Sequence, residues 1–195
     1  MTPDRPDPSR APAIIRELRW SDLDALTDTY YALYDERERG DPIGITLFEE
    51  KPTAADQVSW FSNLYRRGLT GDAITSIAEL DHRAVGNCTV GRIAARADAE
   101  NGHVGDLGIL VRREYRGRGV GRALLRDALA RCHSVFEIVR LSVFANNVRA
   151  KKLYTEFGFR EIGRLPRAIR RGDGYIDEDL MVLNLGAGTT RPPSG

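Results

Sequence analysis

Lysine is scarce in this 195-residue chain: of 29 basic residues only Lys51, Lys151 and Lys152 are lysines, and arginine supplies the rest. The 28 acidic residues bring the formal net charge to +1, which removes any global electrostatic reason to expect nucleic acid or an acidic membrane as partner. Cysteine is also sparse. Cys88 and Cys132 form no spaced framework, so a disulfide-stapled fold is not implied, and Cys132 on an apolar helix face reads as a buried reduced thiol. No apolar run reaches the length of a membrane span, and no signal-peptide core is present; a cytoplasmic protein is the expectation.

What is there is an ordinary globular composition, 42% apolar and 29% charged, in a length suited to one domain. Prolines at 3, 6, 8 and 12 make residues 1–12 a disordered tail by expectation, and 186–195 reads the same way, leaving a folded unit over 13–185. Strand patterns are expected at Ile14–Arg19, Ala73–Leu80, Val85–Ala95, Val104–Val111, Val139–Phe144, Phe159–Leu165 and Tyr175–Leu185. Helices are expected from Ser21 (as cap, with Asp24) to Gly40, Thr53 to Gly68, Val120 to His133, and Val148 to Phe157. Val58, Phe61, Leu64 and Tyr65 form the predicted apolar face of the second helix. The order β-α-α-β-β-β-α-β-α-β-β implies an α/β (α+β) fold with a mixed sheet of about seven strands and about four helices. That sheet is expected to be parallel at one point and antiparallel elsewhere.

The most informative stretch is Arg116-Gly117-Arg118-Gly119-Val120-Gly121, between an apolar strand and an amphipathic helix. A glycine turn there directs unpaired backbone N–H groups and the positive end of a helix dipole at one point, which suits a phosphate. A P-loop needs Gly-Lys-Ser/Thr, but Gly121 is followed by Arg122-Ala123. A dinucleotide fingerprint needs G-x-G-x-x-G; from Gly117 the last position is Arg122, and from Gly119 it is Leu124. Both tests fail, leaving Arg-x-x-Gly-x-Gly.

The run from Leu107 to Leu125, with the second block Leu141–Asn147, Ala150, Leu153-Tyr154 and Gly158-Phe159, resembles the coenzyme A motifs of the GCN5-related N-acetyltransferase (GNAT) superfamily. The element order is the family's as well. The resemblance implies transfer of an acetyl group from acetyl-CoA, as cosubstrate and without a metal, to a primary amine. The acceptor would be a small amine or amino acid, a peptide or protein N-terminus, or a lysine.

The resemblance assigns the pyrophosphate to Gly117, Arg118, Gly119, Val120 and Gly121, and the pantetheine arm to Ile109, Leu110 and Val111. Arg116 and Arg122 flank the phosphates and either contact them or are solvated; Arg112, Arg113, Arg149, Lys151 and Lys152 are candidates for the 3′-phosphate. Asn147 corresponds to a coenzyme-contacting asparagine, with a plain helix cap as the alternative. Tyr154, seven residues on and on the same helix face, corresponds to the general acid, with a packed core aromatic as the alternative. The family's strand-centre base is absent, Ser142 standing there. Glu79 and Asp106 are the carboxylates that remain, beside a water chain with no single base. Arg167 and Tyr175, in an arm Leu165–Gly174, are the expected acceptor contacts. A homodimer is compatible with the family; nucleic acid and membrane are not expected partners. The alternative to an enzyme is a coenzyme A-binding sensor or inactive module that lost its base.

Overall fold

The computed structural model describes residues 12–94 and 96–186; the expected terminal tails lie outside these, apart from Pro12 and Gly186. Ile14–Glu17 forms β1. The strand stops short of Arg19 because Asp22 turns the chain, accepting the Arg19 N–H at 2.8 Å and pairing with Arg16 at 2.7 Å. A 3-10 turn, Trp20–Asp22, then leads into α1, Leu23–Glu38, so Asp22 rather than Ser21 occupies the position before the helix. Thr53 begins α2, Ala54–Leu69, with a reciprocal cap: Thr53 Oγ1 accepts the Asp56 N–H at 3.2 Å, and Asp56 Oδ2 accepts the Thr53 N–H at 2.9 Å. Such a cap contributes about 1 kcal/mol.

β2, Ala73–Leu80, and β3, Arg83–Arg92, are joined by Asp81 and His82, both at positive φ, the twist-matched geometry of a two-residue hairpin. Near the turn Ala78 pairs with Gly86 while Glu79 pairs with Ala84, so Val85 is an extra, bulged residue. Ala84 therefore packs with Leu26, Phe61 and Ile77 under α1 and α2, and Val85 joins the core on the opposite face. The strand ends at Arg92 instead of Ala95, which is not among the described residues.

β4, Val104–Val111, the glycine turn, and α3, Val120–Cys132, follow as expected. After them come β5, Ile138–Phe144, α4, Val148–Glu156, β6, Arg160–Arg171, and β7, Gly174–Asn184. The expected arm after Leu165 is strand: β6 runs through an irregularity between Leu165 and Ile169, where Arg167 takes φ 54°, and continues to Arg171.

The seven strands form one sheet in the order β1-β2-β3-β4-β5-β7-β6, antiparallel at every junction except β4–β5. α3 and α4 cover one face, where Leu124, Leu125, Val139, Leu141 and Phe159 are all but sealed from solvent. α1 and α2 cover the other.

Candidate active site

The parallel junction is the feature that makes a site. Only Val104, Gly105 and Asp106 pair with Ile138, Val139 and Arg140. Beyond them β5 pairs with β7 alone, from Leu141↔Met181 to Phe144↔Glu178. The β4 edge from Leu107 to Val111 is left without a strand on that side while β3 still pairs its other edge. An open edge of this kind offers amides and carbonyls to an extended ligand, as an added strand would use them.

At the wide end of the wedge lies the glycine turn. Gly117 and Gly119 have φ of 84° and 83°, which side chains rarely tolerate, and Gly119 is the residue before α3. The first helical bond of α3 runs from Ala123 N–H to the Gly119 carbonyl at 3.0 Å. The N–H groups of Val120, Gly121 and Arg122 precede it and point out of the helix end. They open on a cleft of about 500 Å³ lined by the turn, Ile109 and Val111 of β4, and Asn147, Arg149, Lys152 and Tyr154 around α4.

The cations around this cleft divide by partner. Arg116 has its guanidinium consumed internally: it donates to both oxygens of Glu36, at 2.6 and 3.0 Å, and to the Val111 carbonyl at 2.8 Å. It lines the cleft but acts as a strut between the turn and α1. Arg122 pairs with Glu156 of α4 and lies over the Phe157 ring. Arg149 and Lys152 line the cleft and make no ion pair among the described residues. Lys151 points away, to Asp179 and to Glu161 at 3.1 Å; Arg112 pairs with Glu114 and Arg113 with Asp41. Arg118 is exposed, over the Tyr115 ring, and the Val120 side chain is core. Of the five cations expected at a 3′-phosphate, Arg149 and Lys152 are the two that face the cleft.

Asn147 caps α4, its Oδ1 accepting the Ala150 N–H at 3.1 Å, and also lines the cleft. Tyr154 is 6% exposed and packs on Phe159 with ring centroids 5.8 Å apart. Its hydroxyl makes no hydrogen bond to any described residue, and Tyr154 borders the cleft. Burial, with a smaller effect from nearby Cys88, pushes that hydroxyl well above the ordinary tyrosine value, so it stays protonated.

A second cavity, about 880 Å³, lies on the opposite face under α1 and α2. Ile109 lines both cavities, which lie on either side of β4; Leu110 borders the second. Its walls are Leu26, Tyr30, Ile45, Phe48, Trp60 and Leu64, with Gln57, Arg67, Asn87 and Thr89 as polar points and Glu50, Lys51 and Asp56 among the remainder. At Gly108 in its floor, an added Cβ would meet nothing within 4 Å. Reading the apolar pattern of α2 missed this wall, because Val58, assigned to the buried face, is 46% exposed, whereas Gln57 is 6% exposed. The helical spacing of Gln57, Trp60, Leu64 and Arg67 was the available signal.

Neither expected base reaches the site. Glu79 is tied to Arg16 at the β1–β2 edge, close to Asp22, and lines neither cavity. Asp106, expected to be buried, has a side chain 54% exposed and pairs with Arg140 at 2.9 Å across the closed end of the wedge. Arg167 and Tyr175 are likewise away from both cavities: the guanidinium stacks on the Tyr175 ring at 4.1 Å, and the Arg167 N–H donates to Asp177 at 2.8 Å. The hairpin touches the wall of the larger cavity through Arg171 instead, which donates to the carbonyls of Ile43 and Ile45 at 2.9 and 3.1 Å.

A splayed mixed sheet with a glycine turn and helix N-terminus at the wedge mouth and a second cavity across the same strand leaves room for two ligands, one on each side of β4. The chain belongs to the acetyltransferase (GNAT) family, whose sequence profile matches residues 5–159. It is 31% identical over 108 residues to the L-amino acid N-acetyltransferase AaaT of Escherichia coli, covering 54% of this chain and 65% of that protein. It is 33% identical over 90 residues to the spermine/spermidine N(1)-acetyltransferase of Bacillus subtilis, covering 45% and 54%. The chain thus spans less than two thirds of these curated relatives. In fold it is similar to a phosphinothricin acetyltransferase from Sinorhizobium meliloti solved in complex with AcCoA, with TM-score 0.77, 23% identity and 95% of both chains covered.

Proposed function

We propose that this protein transfers the acetyl group of acetyl-CoA to the primary amine of a small molecule. The observation that carries the reading is that one residue, Ile109, lines both cavities at the point where β4 has left β5. Coenzyme A suits the smaller cleft in three ways. The turn amides meet the pyrophosphate, Arg149 and Lys152 supply positive charge for a further phosphate, and the free β4 edge takes the pantetheine. An amide aimed at the thioester oxygen stabilises developing charge by roughly 3 kcal/mol.

In the reaction the amine nitrogen forms a bond to the acetyl carbon, and the carbon–sulfur bond breaks. The acceptor ammonium first gives up a proton to water. Asn87 donates to the Thr89 hydroxyl at 3.5 Å, leaving its own carbonyl oxygen to order that water, and Glu50 and Asp56 take the charge outward. After attack the cationic nitrogen sheds its second proton to the same water, the departing thiolate takes a proton from the Tyr154 hydroxyl, and Tyr154 is reprotonated from solvent, so that one proton is released per turnover. The amino acid and polyamine activities of the Escherichia coli and Bacillus relatives favour a small acceptor.

Gly108→Phe tests the junction. A ring there projects into open acceptor space and leaves the coenzyme cleft intact, so coenzyme affinity should hold within about 3-fold while turnover falls at least about 100-fold. Retained turnover would place the transfer elsewhere.

A further inference from the structure

We infer that the acceptor carries a carboxylate and that Arg67 of α2 binds it. Gln57, Trp60, Leu64 and Arg67 recur at helical spacing and present an amide, an indole, an apolar side chain and a guanidinium to the acceptor cavity.

Arg67 is half-buried, and no carboxylate lies within ion-pair distance of it among the described residues. Its Nη2 donates to the Arg92 carbonyl at 2.7 Å and the Asp72 carbonyl at 3.3 Å, which fix the guanidinium. Nη1 and Nε make no hydrogen bond to a described residue. The nearby Asp72 carboxylate is already engaged by Arg92 at 3.1 Å and by Thr70 at 2.7 Å. The sheet makes room for this cation: a Cβ at Gly91 would lie 2.9 Å from Arg67 Nη2. A fixed guanidinium cation whose Nη1 and Nε donors are unused attracts a carboxylate by charge and single hydrogen bonds in preference to an uncharged group.

Gln57 gives the second, independent observation. It is 6% exposed, its side chain makes no hydrogen bond to any described residue, and it lines the same cavity. Its amide atoms reach the open cavity and leave donors and an acceptor available to a ligand there.

The spacing fits an α-amino acid. Arg67 lies over Gly91, which pairs with Asp106; two residues along β4 from Asp106 is Gly108, beside Ile109. Two strand residues span about 7 Å. A hydrogen bond of about 3 Å from guanidinium to carboxylate, followed by the carboxyl and α-carbons, brings the α-nitrogen to that row. The apolar side chain then lies against Tyr30, Phe48 and Trp60. A polyamine would instead set a cation against Arg67. For the position of the amine this inference rests on the acetyl-transfer reading; the carboxylate contact rests on Arg67 itself.

The test compares L-phenylalanine with phenethylamine, and L-leucine with isopentylamine, as acceptors for the wild type and Arg67→Gln, with calorimetric binding of the same amino acids to the coenzyme A-saturated protein as a second readout. The wild type should favour each amino acid over its carboxylate-free partner by about 10- to 100-fold in kcat/KM, and Arg67→Gln should collapse that ratio toward one. Amino-acid binding should weaken by a similar factor, with KM for acetyl-CoA unchanged. Equal use of amine and amino acid by the wild type, or an unchanged ratio in the variant, overturns the inference while leaving acetyl transfer standing. If no amine is acetylated the transfer reading fails, and the binding comparison still decides the role of Arg67: equal binding in both proteins, or none in either, counts against it.

Discussion

Glu36 and Arg116 lie 80 residues apart and are joined by two charge-assisted hydrogen bonds of 2.6 and 3.0 Å, with Glu36 only 2% exposed. The pair ties α1, a wall of the larger cavity, to the glycine turn at the mouth of the smaller cleft. Arg116 also holds the Val111 carbonyl, so one side chain fixes the end of β4, the turn and the first helix together. Truncating it as Arg116→Ala leaves a buried carboxylate without its partner, and should lower stability by about 3 kcal/mol in urea unfolding. Adding Glu36→Leu should recover part of that loss. A residue serving only as a phosphate contact would change coenzyme affinity and leave the unfolding midpoint where it was.

Tyr154→Phe removes one hydroxyl from the cleft and keeps the ring packed on Phe159. Turnover should fall about 100-fold or more, with coenzyme affinity nearly unchanged. Because burial raises this hydroxyl above the ordinary value near 10, it should remain a donor through the neutral and mildly alkaline range. Equal turnover in the variant removes Tyr154 from the mechanism.

Cys88 and Cys132 are both buried and free, and burial pushes the Cys132 thiol up to about 12 and Cys88 higher still. Protonated, sealed thiols should resist alkylation in the native protein and react only in denaturant, as counted by mass spectrometry. With folded values above unfolded ones, the linked stability is complete below the unfolded thiol value near 8.5 and is lost as pH rises toward the folded values. Urea midpoints should therefore decline on the alkaline side.

Asp179 has the opposite sign. Arg164, at 2.6 Å, and then Lys151 hold this fully buried carboxylate below its usual range. Its contribution is present above the unfolded value near 3.9 and disappears as pH falls through the folded one. Asp179→Asn should flatten the acid limb of the stability profile; an unchanged limb would mean the cluster holds nothing together.

The cleft around the glycine turn was legible in the sequence because its information is local. The glycines at 117 and 119 mark positive φ, and Asn147 and Tyr154 are one helix apart, so spacing alone brings them to one cleft. The rest depends on partners distant in the chain. Nothing near Arg116 announces Glu36, and Glu79 is withdrawn by Arg16 from a different strand. Asp106 sits in an apolar run, but its side chain emerges at an exposed junction where Arg140 meets it. On α2, periodicity grouped Val58 with the core when the bulkier wall is built from Gln57, Trp60 and Arg67. A helix that lines a cavity has two inward faces, and a single hydrophobic stripe describes only one of them.

The central claim is transfer of an acetyl group to an amine, and amine-dependent release of the coenzyme A thiol tests it most directly, with the product identified by mass spectrometry. The account predicts thiol release only when an amine is present, matched one for one by an N-acetylated small molecule. Tight binding of acetyl-CoA with no acetylated product from any amine, amino acid or peptide would contradict it, and would make the protein a coenzyme A sensor.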